Sequence, residues 1–245
     1  MPPLRAVLLD AGGTLIHPDR DFILDRLTAE GLDADHAAWT DACRDATAAV
    51  GDILRSDDPG TDETRARLWF ATLLARLGLP EHGMATVGAA IRARHEAGRL
   101  WVWTEPGTRE LLESLREAGL RLAVISNADG RVADFLETAG LADLFEFVLD
   151  STAVGIEKPD RRIFDLACQR LELPPDEVVY VGDTFEVDVV GARSAGIRAV
   201  LLADPARDGV DCITGIHELP GALGLIAAGD AGSVVDPGDA VDTTR

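Results

Sequence analysis

Three features predict an α/β chain, built as a doubly wound parallel sheet with an all-helical module inserted into it. Residues 6–9 (Ala-Val-Leu-Leu) form a short apolar run that stops at Asp10 and a Gly12-Gly13 pair, the pattern of a buried strand feeding a loop. Residues 18–98 read as helix throughout. Beyond residue 107, helical segments alternate with short all-apolar runs, and strands apolar on both sides belong to a parallel sheet covered on both faces.

In order along the chain, helices are expected over 21–30, 35–50, 61–77 and 84–97, where Leu, Ala, Trp and Ile recur at helical spacing. Gly31, Asp57-Asp58-Pro59-Gly60 and Gly78-Leu79-Pro80 separate them. The alternating part reads as helix 107–118, strand 121–126, helix 131–139, strand 145–149, helix 160–171, strand 178–182, helix 186–195 and strand 198–202. The organisation is therefore a sheet-bearing core from 1–17 and 100–228, a helical insert over 18–99, and a tail over 229–245. The tail holds Gly, Asp, Ser, Pro and Thr without apolar periodicity and is expected to be disordered.

At 245 residues, 47% of them hydrophobic, the chain is long enough to bury a sizeable core. Its formal charge of −20 argues against nucleic acid and anionic membrane as partners, which are held by clustered basic residues. Cys43, Cys168 and Cys212 are widely spaced with no CxxC pair, so they read as reduced, buried thiols rather than a disulfide framework or zinc site. The apolar run after Met1 is too short for a signal-peptide core or a membrane span, and a cytoplasmic protein is expected. These features are equally compatible with a monomer and a homodimer.

In a doubly wound sheet the ligand crevice lies outside the carboxyl ends of the strands. Asp10 ends the first strand, Ser126-Asn127 end the next core strand, and Gly182-Asp183 end a later one. Lys158, ahead of the helix that feeds that later strand, is the only lysine beside 22 arginines. An ammonium is a compact point charge, whereas a guanidinium needs room for a planar fork, so a crowded anionic centre favours lysine. Carboxylates, a hydroxyl and an ammonium thus converge on one sheet edge, which is the signature of a reaction site.

The four segments Val7-Leu8-Leu9-Asp10-Ala11-Gly12-Gly13-Thr14-Leu15, Val124-Ile125-Ser126-Asn127, Lys158-Pro159 and Val181-Gly182-Asp183-Thr184-Phe185-Glu186-Val187-Asp188 resemble, in order, the motifs of the haloacid dehalogenase superfamily. The resemblance implies a Rossmann-like core with an inserted helical cap. It implies that Asp10 attacks a phosphoryl group and carries it as an aspartyl phosphate. It also implies a Mg²⁺ cofactor held by Asp10, the Gly12 carbonyl, Asp183 and, as ligand or supporting group, Asp188. Lys158 then neutralises Asp10 and the transferring oxygens, while Thr14, Ser126 and the Asn127 N–H donate to the remaining phosphoryl oxygens. The implied partner is a small phosphorylated substrate.

One position departs from that pattern. Phosphatases of the superfamily usually carry a second aspartate two residues after the nucleophile, as general acid and base, and here that residue is Gly12. Such help is worth about 10²–10⁴-fold. Three explanations follow: a substrate with a good leaving group such as an acyl or enol phosphate, a substitute acid from His17, Asp19 or Glu105, or lost turnover. Relatives that lack the second aspartate include metal-independent 2-haloacid dehalogenases, and a dehalogenase or a non-catalytic Mg²⁺- and phosphate-binding protein are the alternatives. Phosphonate hydrolases form a Schiff base with a cap lysine, and the insert has none. For substrate contacts the insert offers Trp39, Trp69, Arg20, Arg44, Arg92 and Arg94, with Arg99, Trp101 and Trp103 at its end. Trp69 reads as cap core and Trp101-Val-Trp103 as the hinge where the chain re-enters the sheet. The reading is a magnesium-dependent phosphohydrolase.

Overall fold

The computed structural model of the protein describes residues 2–203, 207 and 209–225. The tail expected from Gly229, and the last three residues of the expected core, lie outside these.

The chain opens with β1 (Ala6–Leu9) and a two-residue strand β2 (His17–Pro18), then enters four helices: α1 (Arg20–Ala29), α2 (His36–Leu54), α3 (Asp62–Arg76) and α4 (Glu81–Glu96). Three of the four begin on a side-chain cap: Asp19 accepts from Phe22 N, Asp35 from Ala38 N, and Thr61 forms a reciprocal box with Thr64. The chain returns through β3 (Trp101–Trp103) and continues as α5 (Thr108–Glu117), β4 (Arg121–Ser126), α6 (Val132–Thr138), β5 (Val148–Asp150), α7 (Ser151–Val154) and α8 (Arg161–Leu171). After β6 (Val178–Gly182) come a π turn over Phe185–Val189, α9 (Val190–Ser194), β7 (Arg198–Leu202), β8 (Asp211–Ile213) and α10 (Leu219–Ala222).

Six strands form one parallel sheet in the order β5-β4-β1-β6-β7-β8, with β1 between β4 and β6. Val7 and Leu9 of β1 point to the face covered by α5 and α6, and Ala6 and Leu8 to the face covered by α8 and α9. Both rows are fully buried, which is why these strands are apolar at every position rather than at every second one. Each buried Val or Leu contributes about 1.5–3 kcal/mol, so a hydroxyl in these rows needs a purpose. Tyr180, in the middle of β6, is the exception.

The helical insert has its own core, built on Ile23, Leu27, Trp39, Leu73, Leu74 and Ile91. Trp69 packs against that core, as its spacing suggested. Trp101 packs on both this cluster and the sheet's, so its indole joins the two units.

Several expectations are revised. Helix 35–50 runs to Leu54, and the helix expected from residue 84 begins at Glu81, directly after Pro80. Residue 18 is not helical: His17–Pro18 pairs antiparallel with Trp101–Trp103, so the segment where the chain re-enters the core is extended, and Asp19 N donates to Leu100 O at 2.7 Å beside it. The strand expected over 145–149 begins three residues later and ends one later, at Val148–Asp150, paired with Val124–Ser126. The helix expected over 186–195 starts with the wide π turn, closed by Val190 N on Phe185 O. Strand β8, only three residues long, extends the sheet beyond the expected edge. Of the thiols, Cys168 is buried, whereas Cys43 and Cys212 are half-buried; all three are free.

Candidate active site

Asp10 follows β1, Ser126 ends β4 and Asp183 follows β6, and these three strands are sheet neighbours, so their carboxyl ends present all three residues to one crevice. The loop before α8 brings Lys158 to the same place. Its Nζ donates to Asp10 Oδ1 at 2.7 Å, Asp188 Oδ1 at 2.8 Å and Tyr180 Oη at 2.8 Å. Only 3% of Lys158 is exposed.

Asn127, expected to offer its backbone N–H, does something further with its side chain. Nδ2 donates to Lys158 O at 2.9 Å while Oδ1 accepts from Lys158 N at 2.8 Å, holding the backbone of that residue at both its N–H and its carbonyl. Asp188 accepts on both oxygens, from Lys158 on Oδ1 and from Thr184 N on Oδ2 at 2.9 Å. The π turn is what folds Asp188 back beneath Gly182, where a Cβ on that glycine would sit 2.4 Å from Asp188 Cγ. Gly13 has φ +82°, and a Cβ there would fall 2.3 Å from Asp183 Oδ2. Both glycines are therefore part of the site, because only a residue without a side chain leaves the carboxylates room.

Asp10, Asp183 and Asp188 each place a carboxylate oxygen within 4.8 Å of the others. With Lys158 as their one ammonium, the three carboxylates when ionised leave two negative charges in excess, with Asp10 and Asp188 buried and Asp183 half-buried. Burial pushes the Asp10 carboxyl up to about 6; Lys158 opposes the rise and Asp188 adds to it. Burial, then Asp10 and Asp188, drive Asp183 well above the usual carboxylate range. Burial alone would lower Lys158, but its two carboxylate partners outweigh that and hold it above an ordinary lysine. Thr14 Oγ1 is buried without a hydrogen-bond partner. Surplus negative charge, hard oxygen donors and an orphaned hydroxyl fit a hard divalent cation with an anionic ligand, and among the described residues the ligand group is all carboxylate, the donor set of hard rather than softer metals.

Gly12 faces an indole: a Cβ there would meet Trp101 Cζ3 at 3.5 Å. The substitute acids are engaged elsewhere. Asp19 caps α1 and pairs with Arg94, whose guanidinium also lies 4.3 Å from the Phe22 ring. Glu105 faces His217 at 3.8 Å. His17 stands edge-on to Trp103 at 5.3 Å, and burial pushes its pKa down to about 4, leaving the ring neutral near pH 7. Trp69 spends its indole N–H on Thr47 Oγ1 at 3.1 Å, and Arg20 lies over Trp103 at 6.0 Å.

The family profile described as haloacid dehalogenase-like hydrolase matches residues 4–196. The chain belongs to that family. Among curated relatives of this hydrolase, the bovine (Bos taurus) haloacid dehalogenase-like hydrolase domain-containing protein 3 is 30% identical over 239 residues, covering 93% of this chain and 94% of the relative. A ribulose-1,5-bisphosphate 5-phosphatase of Halopiger xanaduensis is 31% identical, covering 83% and 86%. A glyceraldehyde 3-phosphate phosphatase of Methanopyrus kandleri is 37% identical over 133 residues, covering 54% and 56%. The fold is shared with a HAD phosphatase from Thermococcus onnurineus (TM-score 0.56, 24% identity, 90% of this chain and 98% of that one). An L-2-haloacid dehalogenase has it too (TM-score 0.61, 22% identity, 91% and 99%). Helices α1–α4 are the hydrolase's inserted cap.

Tyr180, the Asn127 side chain, Gly13 and Gly182 are site residues that motif reading passes over. Tyr180 left one signal: it is the only tyrosine of the chain and the only hydroxyl in an otherwise apolar central strand.

Proposed function

We propose that this hydrolase is a Mg²⁺-dependent phosphohydrolase acting on a small phosphorylated metabolite through an aspartyl phosphate on Asp10. The observation that carries the reading is the cluster of Asp10, Asp183 and Asp188, the first and last of them buried against one ammonium, which a metal-free displacement at carbon would not need. The relatives named as phosphatases of ribulose-1,5-bisphosphate and glyceraldehyde 3-phosphate support both the reaction and the substrate class. In this reading the core comprises 1–17 and 100–228, the cap comprises 18–99, and the protein works in the cytoplasm. Among the described residues no helix is long and apolar enough to cross a membrane.

Lys158 holds Asp10 Oδ1, and we assign attack on phosphorus to the other oxygen of that carboxylate. Asp10, the Gly12 carbonyl, Asp183 and Asp188 would hold Mg²⁺, which when bound offsets charge on the cluster and on the phosphoryl oxygens. Thr14, Ser126 and the Asn127 N–H receive those oxygens, and the unpartnered Thr14 hydroxyl supports this assignment. With an indole rather than a carboxyl beside Gly12, the leaving oxygen departs without a proton from that side. Substrates with good leaving groups, such as acyl phosphates, are therefore favoured.

The same apolar wall is the observation that keeps metal-independent haloacid dehalogenation as the second reading. Hydrolysis of p-nitrophenyl phosphate separates the two, measured with Mg²⁺ or chelator for the wild type and Asp10→Asn. The expected result is turnover that needs the metal and falls on the order of 10³-fold or more in the variant. Halide release from a 2-haloacid in the presence of chelator, with no phosphate release, would replace this reading by dehalogenation.

A further inference from the structure

An ammonium has three N–H bonds, and in Lys158 two of them serve Asp10 and Asp188. The third serves Tyr180 Oη at 2.8 Å. That oxygen lies in turn 3.0 Å from Asp188 Oδ1 and 3.2 Å from Ile125 O, so its own hydrogen has an acceptor in either direction. The phenol ring is fully buried and packs edge-on against Phe164 at 5.1 Å. It stands on β6, bonded on one side to β1, which leads into Asp10, and on the other to β7.

A lysine side chain is a flexible stem that carries its charge wherever the surroundings allow. Here both ends are fixed: Asn127 grips the Lys158 backbone at its N–H and carbonyl, and Tyr180 completes the contacts of the ammonium. We propose that Tyr180 is a positioning residue for phosphoryl transfer, whose hydroxyl takes the third hydrogen of Lys158 and so fixes the ammonium on the Asp10 oxygen that does not attack. The proposal rests on the phosphohydrolase reading above. Removing Oη strands a buried N–H of a charged donor, and the ammonium then relieves it by tilting away from Asp10 or admitting water. Charge stabilisation depends on such groups being held in place before reaction, so the loss falls on the chemical step rather than on substrate binding.

The composition makes the contact addressable, because Lys158 is the only lysine and Tyr180 the only tyrosine of the chain. Lysine labelled with ¹⁵N at Nζ gives one ammonium resonance, that of Lys158. The expected result for Tyr180→Phe is a shifted resonance broadened by faster exchange with water. On p-nitrophenyl phosphate, kcat should fall about 10–100-fold with KM within about twofold, the range for groups that orient a reacting residue through one contact. The Phe ring keeps the packing on Phe164, so the unfolding midpoint should move little. An unchanged resonance, an unchanged kcat, or equal losses in kcat and KM would overturn the proposal. If the wild type hydrolyses no phosphoester, the phosphohydrolase reading fails first; a resonance that still changes would then leave the contact but remove its catalytic role. Should Tyr180→Phe not fold, 3-fluorotyrosine at position 180 supplies a single ¹⁹F signal, which must shift in Lys158→Met for the proposal to stand.

Discussion

Glycines shape this site as much as its charged residues do. Gly13 and Gly182 give Asp183 and Asp188 their room, and Gly12 leaves the space that the Trp101 indole covers. A Cβ at residue 12 would make only ordinary contact with that ring, and the backbone there is not left-handed, so a side chain is sterically admissible. Gly12→Asp is therefore expected to raise kcat/KM on an alkyl phosphate by at least ~10-fold, out of the ~10²–10⁴-fold a positioned acid supplies. Aryl phosphate hydrolysis should change far less. Comparing the two substrates checks this, and an unchanged ratio would mean that the indole prevents the carboxyl from reaching the leaving oxygen. Asp10 and Asp183 were legible in the sequence because charged residues at apolar strand ends stand out, and Lys158 because it is the only lysine of the chain. The Asn127 clamp and Tyr180 were not, because their roles depend on partners 31 and 22 positions from them in sequence.

At the scale of elements, apolar runs identified 121–126, 178–182 and 198–202 with their observed limits, since a strand buried on both faces admits little else. The His17–Pro18 and Trp101–Trp103 ribbon was missed because two and three residues carry no periodicity, and its pairing joins segments some 80 residues apart. That ribbon holds a titrating group. The His17 pKa is lowered from 6.5 to about 4, so below pH 6.5 the unfolded chain takes up a proton that the folded chain refuses. This contribution is complete above pH 6.5 and is lost as pH falls through about 4. Urea unfolding across that window should lose stability more steeply in the wild type than in His17→Gln, by roughly 1–3 kcal/mol. Equal slopes would place the pH response elsewhere.

Across the whole molecule, the cap is tied to the core on both sides of the site. Arg55 pairs with Glu186, Arg65 with Glu157 at 3.4 Å, and His95 with Asp129 at 3.0 Å, while Arg131 donates to His95 O at 3.0 Å. Glu157 and Glu186 stand one and three residues from Lys158 and Asp183. These links are unequal. The Arg65 side chain is 10% exposed and also donates to Gly60 O at 2.9 Å, whereas Arg67, 71% exposed, pairs with Glu63 within its own helix. Arg65→Met should cost about 1 kcal/mol in urea unfolding because it removes a guanidinium that is itself 10% exposed and bridges Gly60 O, Asp62 and Glu157, and Arg67→Met should change little. A similar small effect for both would show that the contact at Arg65 is already solvated.

The sequence by itself determined the fold class, the order of the sheet-bearing segments and the helical insert. Those rest on apolar periodicity and turn residues, which act over a few neighbours. It also supplied the charged groups that meet at the sheet edge, since topology sends every parallel strand's carboxyl end the same way. Tertiary structure decided what depends on distance between remote segments. It set the indole over Gly12, the third contact of Lys158, the retreat of Asp188 beneath Gly182, and the protonation of His17. Each of these is an energy of burial or close approach, and neither can be read from a residue before its neighbours in space are known.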